Sequence, residues 1–257
     1  KSIKNKISKD YKKYNKQIID LDKKFNITKE SFSYSGDDLR RRQFLAGMNI
    51  EDLELILQPM VEDAKEAVGS MGDDTPAAVL SDRYRPLSHF FRQNFSQVTN
   101  PPIDSLRENE VMSLKTRFGN LGNILDFENL TEDNIYVLES PILSNSQFEK
   151  FLNFFKKNIK ILDCTFDLKN GLKNRLDYLR KEAEIAVREG SKHLILSDKE
   201  VSDEKAPIPM PLAIGAINSR LVNLGIRGFA SINVQTGETL DTHSFAILLG
   251  VGATTIN

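Results

Sequence analysis

The chain has 257 residues, 40% apolar and 28% charged, so it can bury a sizeable core as one large or two small domains and does not read as disordered. Its formal net charge of −1 gives no overall pull toward nucleic acid or anionic lipid. One cysteine, Cys164, excludes an internal disulfide framework and a multi-cysteine metal site, and no apolar run reaches the roughly 18 residues of a membrane-spanning helix.

Residues 1–29 carry ten lysines against Asp10, Asp20 and Asp22, with Tyr11, Tyr14, Ile18, Ile19, Leu21 and Phe25 interleaved. Such a stretch can grip nucleic acid or a membrane surface, but the expectation for lysine-rich sequence is a solvated segment that packs on a neighbouring domain. The chain starts Lys-Ser-Ile-Lys, without a signal peptide or initiator methionine, and stops at Ile256-Asn257 in what reads as a strand. The expectation is a piece of a longer, cytoplasmic polypeptide. Asp37 and Asp38 precede Arg40-Arg41-Arg42, which fits acids at a helix N-terminus and cations in its later turns. Asn49 reads as an N-cap, followed by apolar residues at helical spacing from Leu53 to Ala67, with Pro59 as a kink or break. Further helices are predicted over 86–95 and 105–115, and 119–133 reads as a long loop.

From Asn134 a regular alternation begins. Strands are predicted at 135–138, 159–164, 193–196, 229–234 and 253–256. Helices are predicted between them: one carrying Phe148, Phe151, Leu152 and Phe155, capped by Ser144, Asn145 or Ser146; one from Leu172 to Val187; one over 212–224; and one over 242–249. Strand–helix units of this length imply parallel strands with right-handed crossovers. The fold class is therefore α/β: a parallel sheet from repeated βα units, truncated barrel-like or doubly wound, with a helical, loop-rich N-terminal portion. The organisation is a lysine-rich segment 1–35, then one domain 36–257, divided into a helical and loop part (36–133) and the βα repeats (134–257).

Sheets of this kind bind or react at the carboxyl ends of their strands. Asp163, Asp167, Asp198 and Asp203 follow those ends and His243 is nearby in sequence, so a free-standing barrel-type enzyme or small-molecule binding module is one reading. No pair has diagnostic spacing, and carboxylates after strands are commonly structural. Cys164 lies late in an apolar strand, where a lone cysteine is usually a small core hydrophobe. His89, His193 and His243 have no spaced metal partner. Gly250-Val251-Gly252-Ala253 precedes a strand instead of following one, which suits a tight helix-to-strand turn and not a dinucleotide loop.

Two loops are unusually specified. One runs Gly69-Ser70-Met71-Gly72-Asp73-Asp74-Thr75-Pro76, the other Gln97-Val98-Thr99-Asn100-Pro101-Pro102-Ile103-Asp104. Two glycines around Ser70-Met71 permit positive φ or a close approach, and the paired prolines fix φ and remove two donors. Asp104 is placed to cap the next helix. Loops this detailed can be sites or interfaces, and composition alone reads them equally as a pair of structural turns.

These strings, with Leu80-Ser81-Asp82 between them, resemble the central domain of the large subunit of glutamate synthase. The resemblance continues through Arg107-Glu108, Val111-Met112-Ser113-Leu114, Gly119-Asn120 and Ser140-Pro141-Ile142-Leu143. It returns at Leu196-Ser197-Asp198, Ala206-Pro207-Ile208-Pro209-Met210, Ser244-Phe245-Ala246 and Gly250-Val251-Gly252-Ala253, and so covers roughly residues 36–257. It implies an enzyme that makes two glutamates from glutamine and 2-oxoglutarate. In such an enzyme a glutaminase domain with an amino-terminal cysteine releases ammonia. An FMN domain with an iron-sulfur cluster reduces the 2-iminoglutarate that forms. The central domain joins these two partner domains of the same polypeptide and helps to wall the ammonia tunnel. The resemblance implies no catalytic residue, cofactor or metal on this chain, and no nucleic-acid or membrane partner. Matching the motifs by position, the tunnel or interface candidates are Ser70, Met71, Thr99, Asn100 and Ile103. Departures are Val251, where the family often has an aromatic, Thr254, where it often has an acid, and Asn218-Ser219, near which it often has histidines.

Overall fold

The computed structural model describes residues 18–25, 34–65, 80, 84–92, 102–120 and 134–257. Its centre is a four-stranded parallel sheet of β4 (Ile159–Asp163), β6 (His193–Ser197), β8 (Ser231–Gln235) and β9 (Thr255–Ile256), in that order. The other strands are β1 (Ile18–Asp20), β2 (Thr116–Phe118), β3 (Ile135–Leu138), β5 (Thr165–Asp167) and β7 (Lys205–Pro207). The α-helices are α1 (Gly36–Leu45), α2 (Gln58–Glu62), α3 (Ser105–Val111), α4 (Asn145–Phe154), α5 (Leu172–Arg188), α6 (Met210–Asn223) and α7 (Thr242–Val251). Among the described residues no helix is long and apolar enough to cross a membrane.

The α/β class and the four later predicted strands stand. Strand alternation sends Leu162, Leu194, Leu196, Ile232 and Val234 to one face, where they share a core with Leu179 and Ala183 of α5, Ile214 and Ile217 of α6 and Leu248 of α7. Residues between them point the other way, so the strands read as nearly continuous apolar runs only where both faces are covered. Consecutive strands are neighbours and α5, α6 and α7 lie on one face, as a sheet wound in one direction requires. Among the described residues it is an open sheet with β4 at one edge. At the other, Ile142 makes a single parallel bridge to Ile256. From there the chain crosses the opposite face through α4.

That opposite face carries a second core. Phe118, Phe148, Phe151 and Phe155 pack with Leu21, Phe25, Leu138 and Ile195. Here the structure corrects the first βα unit. The strand predicted at 135–138 is not a member of the main parallel series. It is the middle of a separate sheet, parallel to β1 and antiparallel to β2. Sequence period cannot tell which sheet an apolar tetrapeptide joins. Residues 18–25, within the lysine-rich stretch, add a strand and two buried side chains to this layer.

Smaller corrections follow from local chemistry. The helix predicted over 86–95 is a single 3₁₀ turn, Leu87–Phe90, in its described part. Phe91 is already extended at φ −92°, ψ 134°, and 93–95 lie outside the described residues. The helix predicted to Lys115 ends at Val111. The loop expected over 119–133 falls, from 121 on, outside the described residues. Pro59 acts as expected. It has no N–H to give, and just before it the chain forms a π-turn, Asp52–Leu57, with Gln58 N–H bonded to the Leu53 carbonyl.

Candidate functional site

The carboxyl ends of β4, β6 and β8 open into a half-open cleft of about 1670 Å³, walled by α4 and by the turn that ends α1. The in-register row Asp163, Ser197, Gln235 crosses its floor and Asn257 extends it. The row satisfies itself. Ser197 Oγ donates to Gln235 Oε1 at 3.1 Å, and Gln235 Nε2 donates to Asn257 Oδ1 at 3.3 Å. Asn257 Nδ2 continues to the Leu143 carbonyl at 3.1 Å and Asn145 Oδ1 at 3.0 Å. Within this row each amide is bonded to a neighbour, while Arg41, Arg42 and Lys199 also line the cleft.

Of the four aspartates, Asp163 and Asp198 line the cleft and Asp167 and Asp203 do not. Asp167 caps its own turn, accepting from Lys169 N–H at 2.7 Å, and Asp203 is exposed and paired with Arg41 at 3.0 Å. Asp163 accepts from the Thr165 hydroxyl at 2.7 Å and backbone N–H at 3.0 Å. Asp198, in the cleft, accepts from the Thr236 hydroxyl, and burial holds its carboxyl above the usual range. Glu139 and Ser140 follow β3, the middle strand of the other sheet.

Cys164 is completely buried, and burial, with the Asp198 and Asp163 carboxylates behind it, pushes its thiol up and keeps it neutral. It is a core residue, as its apolar strand implied. His193 is buried among Phe118, Phe151 and Phe155, its Nδ1 2.9 Å from Ser231 Oγ. Among the described residues no three His, Cys, Asp or Glu side chains are grouped to hold a metal ion. An iron-sulfur cluster needs several thiolates, and the chain has one cysteine.

A site that sequence reasoning missed lies where Tyr84 meets Glu238. The Tyr84 hydroxyl donates to Glu238 Oε1 at 3.2 Å, and the Met210 N–H, at the start of α6, donates to Glu238 Oε2 at 2.8 Å. Burial, and then the Asp198 charge, raises the Glu238 carboxyl. The Tyr84 ring lies on Gly47, at φ +76°, where an added Cβ would come within 2.3 Å of the ring. Four residues on, the buried His243 Nε2 donates to the Ser88 carbonyl at 3.0 Å. Glu238 sits in Thr236-Gly237-Glu238, which carries no motif, and no signal in the sequence pairs it with a tyrosine 154 positions earlier.

Of the five tunnel candidates, Ser70, Met71, Thr99 and Asn100 lie outside the described residues. Ile103 is half-buried. It precedes Asp104, which caps α3 as expected by accepting from the Leu106 and Arg107 N–H groups, both at 2.9 Å.

Comparison with known proteins supplies what the geometry does not. A family model described as the glutamate synthase central domain matches residues 41–257. The chain belongs to the glutamate synthase central domain family. Among similar proteins, the NADPH glutamate synthase large chain of Azospirillum brasilense is 56% identical over 223 residues, covering 86% of this chain and 15% of that protein. The corresponding large chain of Bacillus subtilis is 41% identical over 226 residues, and the chloroplastic ferredoxin-dependent glutamate synthase of rice, Oryza sativa, is 40% identical over 232. These cover 86% and 88% of this chain. This central-domain chain spans about one seventh of the length of each of these relatives.

The family's departures at Asn218 and Thr254 have structural partners here. Asn218 Oδ1 accepts from Arg227 Nε at 2.7 Å, and Thr254 Oγ1 accepts from the Ile232 N–H at 3.2 Å.

Proposed function

We infer that this chain serves as the connecting domain of a glutamate synthase. It joins the glutaminase and FMN-binding domains of one polypeptide and helps to wall the passage that carries ammonia between them. The match of the central-domain family to 41–257 carries this reading. What supports a non-catalytic role is the disposition of the titratable groups. The aspartates at the strand ends are spent on separate structural bonds, the thiol is buried and neutral, and the polar floor of the cleft is satisfied internally. FMN and the iron-sulfur cluster belong, on this reading, to other domains of the parent, which acts in the cytoplasm.

Ammonia must pass without protonation or escape to bulk water, and a narrow passage of backbone and small or apolar groups achieves this by excluding water. Ser70, Met71, Thr99, Asn100 and Ile103 are the residues assigned to it, with Met71 as a flexible apolar gate. In the intact enzyme, Met71→Ala and Asn100→Ala should uncouple glutamine hydrolysis from amination of 2-oxoglutarate. The ratio of glutamine consumed to 2-oxoglutarate aminated should rise above one, and a ratio that stays at one counts against the assignment. The isolated chain should bind no FMN and hydrolyse no glutamine. Turnover of glutamine by it would favour the rival reading, a free-standing enzyme or binding module at the cleft.

A further inference from the structure

We propose that Tyr84 is a positioning residue for ammonia transfer, acting through a clamp that ties 84–92 to the α/β half of the chain. The proposal rests on the channelling reading above. It begins from placement: 84–92 lies in sequence between the glycine loop at 69–76 and the proline loop at 97–104, which carry the tunnel candidates.

Tethers at Tyr84 and Ser88 are among the contacts that hold the segment. At Tyr84 the hydroxyl reaches Glu238 and the ring is seated on Gly47. At Ser88 the backbone carbonyl takes a hydrogen bond from His243, the second residue of α7. Glu238 is itself fixed by the Met210 N–H, so the first tether ends on the start of α6. The turn after α1 closes the arrangement, since Ala46 packs its Cβ 3.4 Å from where a Cβ on Gly237 would be. The position of 84–92 is therefore set by the starts of two helices and by the loop after β8. A carboxylate acceptor makes the Tyr84 bond stronger than a neutral one. Tyr84, Gly47 and Glu238 also line the cleft. Their shared effect is to fix where the segment between the two loops lies.

The test uses the intact parent enzyme. Tyr84→Phe removes one hydroxyl and keeps the ring on Gly47. Glu238→Ala removes the acceptor, and Glu238→Gln keeps an oxygen for Met210 N–H and an amide that can donate to the Tyr84 oxygen. Tyr84→Phe and Glu238→Ala should raise glutamine consumed per 2-oxoglutarate aminated about threefold, the scale set by one hydrogen bond. Glu238→Gln should restore a ratio near one. Backbone hydrogen exchange over 84–92 should quicken in the first two variants and not in the third. If Glu238→Ala fails to fold, Tyr84→Phe carries the test. Met71→Ala runs alongside. Uncoupling in Met71→Ala with a ratio of one in Tyr84→Phe overturns the positioning role and leaves channelling standing. A ratio of one in both overturns both. Faster exchange without uncoupling also overturns the positioning role, because the tether is then structural only.

Discussion

His193 shows what burial does to one titratable group. It is 1% exposed, and burial, with Lys192 adding to it, lowers its pKa from 6.5 to about 3. The folded state therefore keeps the imidazole neutral where the unfolded chain protonates it. Below pH 6.5 the unfolded state binds more protons, so stability is complete above that pH and is lost as pH falls toward 3. The slope from this residue is about 1.4 kcal/mol per pH unit. His193→Gln should flatten the dependence of urea-unfolding free energy on pH between these limits. Parallel curves for the two proteins would show that the ring does not titrate on unfolding. Asp198 has the opposite sign: a carboxyl held above its usual range opposes folding once it ionises, so acidification relieves that cost.

At the scale of the element, helix starts were partly legible: Asp104 as a cap and Ser144 as one of three candidates, while the Asp241 cap was not anticipated. Ser144 caps α4 in a reciprocal box with Gln147, and Asp241 does the same for α7 with Ser244. Ser144→Ala should cost about 1 kcal/mol, read as a shift in denaturant midpoint at unchanged slope. The turn from α7 to β9 is equally specified. Gly252 has φ +125°, and a Cβ there would come within 2.5 Å of the Asn218 side chain. Its carbonyl and the Asn218 oxygen both accept from Arg227. Gly252→Ala should destabilise by about 1–3 kcal/mol, and thermal unfolding at the wild-type midpoint would count against it. The Gly-Val-Gly-Ala string is a corner of the fold and not a phosphate cradle. Its position ahead of a strand already made that reading available.

In the whole molecule two cores meet across one sheet. The helices α5 to α7 cover one face, and a cluster of aromatics covers the other. Phe151 is fully buried and its ring centroid lies 5.5 Å from that of Phe118 on β2 and 5.4 Å from that of His193 on β6. It therefore couples the small sheet to the large one. Phe151→Ala should cost about 3–5 kcal/mol, with loss of protection from hydrogen exchange in both β2 and β6. Loss confined to α4 would mean that the two layers are not coupled through this ring. A parallel polar row lies buried on the same face. Thr255 Oγ1 donates to Asn233 Oδ1 at 2.8 Å, and Asn233 Nδ2 donates to Ser231 Oγ at 3.0 Å. The alternation Ser231-Ile232-Asn233-Val234 encodes this in sequence, since every second residue turns to the same face.

By itself the sequence determined the α/β class, the three βα units that start at β4 with their closing strand, the Asp104 cap, the core role of Cys164 and the family. These rest on local periods, on turn chemistry and on long unusual strings, none of which needs distant contacts. Only the tertiary structure decided that 135–138 joins a second sheet, and that 86–95 begins with a single 3₁₀ turn instead of a helix. The same holds for the meeting of Tyr84 with Glu238. Each of these depends on which distant partner supplies a hydrogen bond or a covering surface, and pairing across 100 or so residues leaves no period in the chain to read.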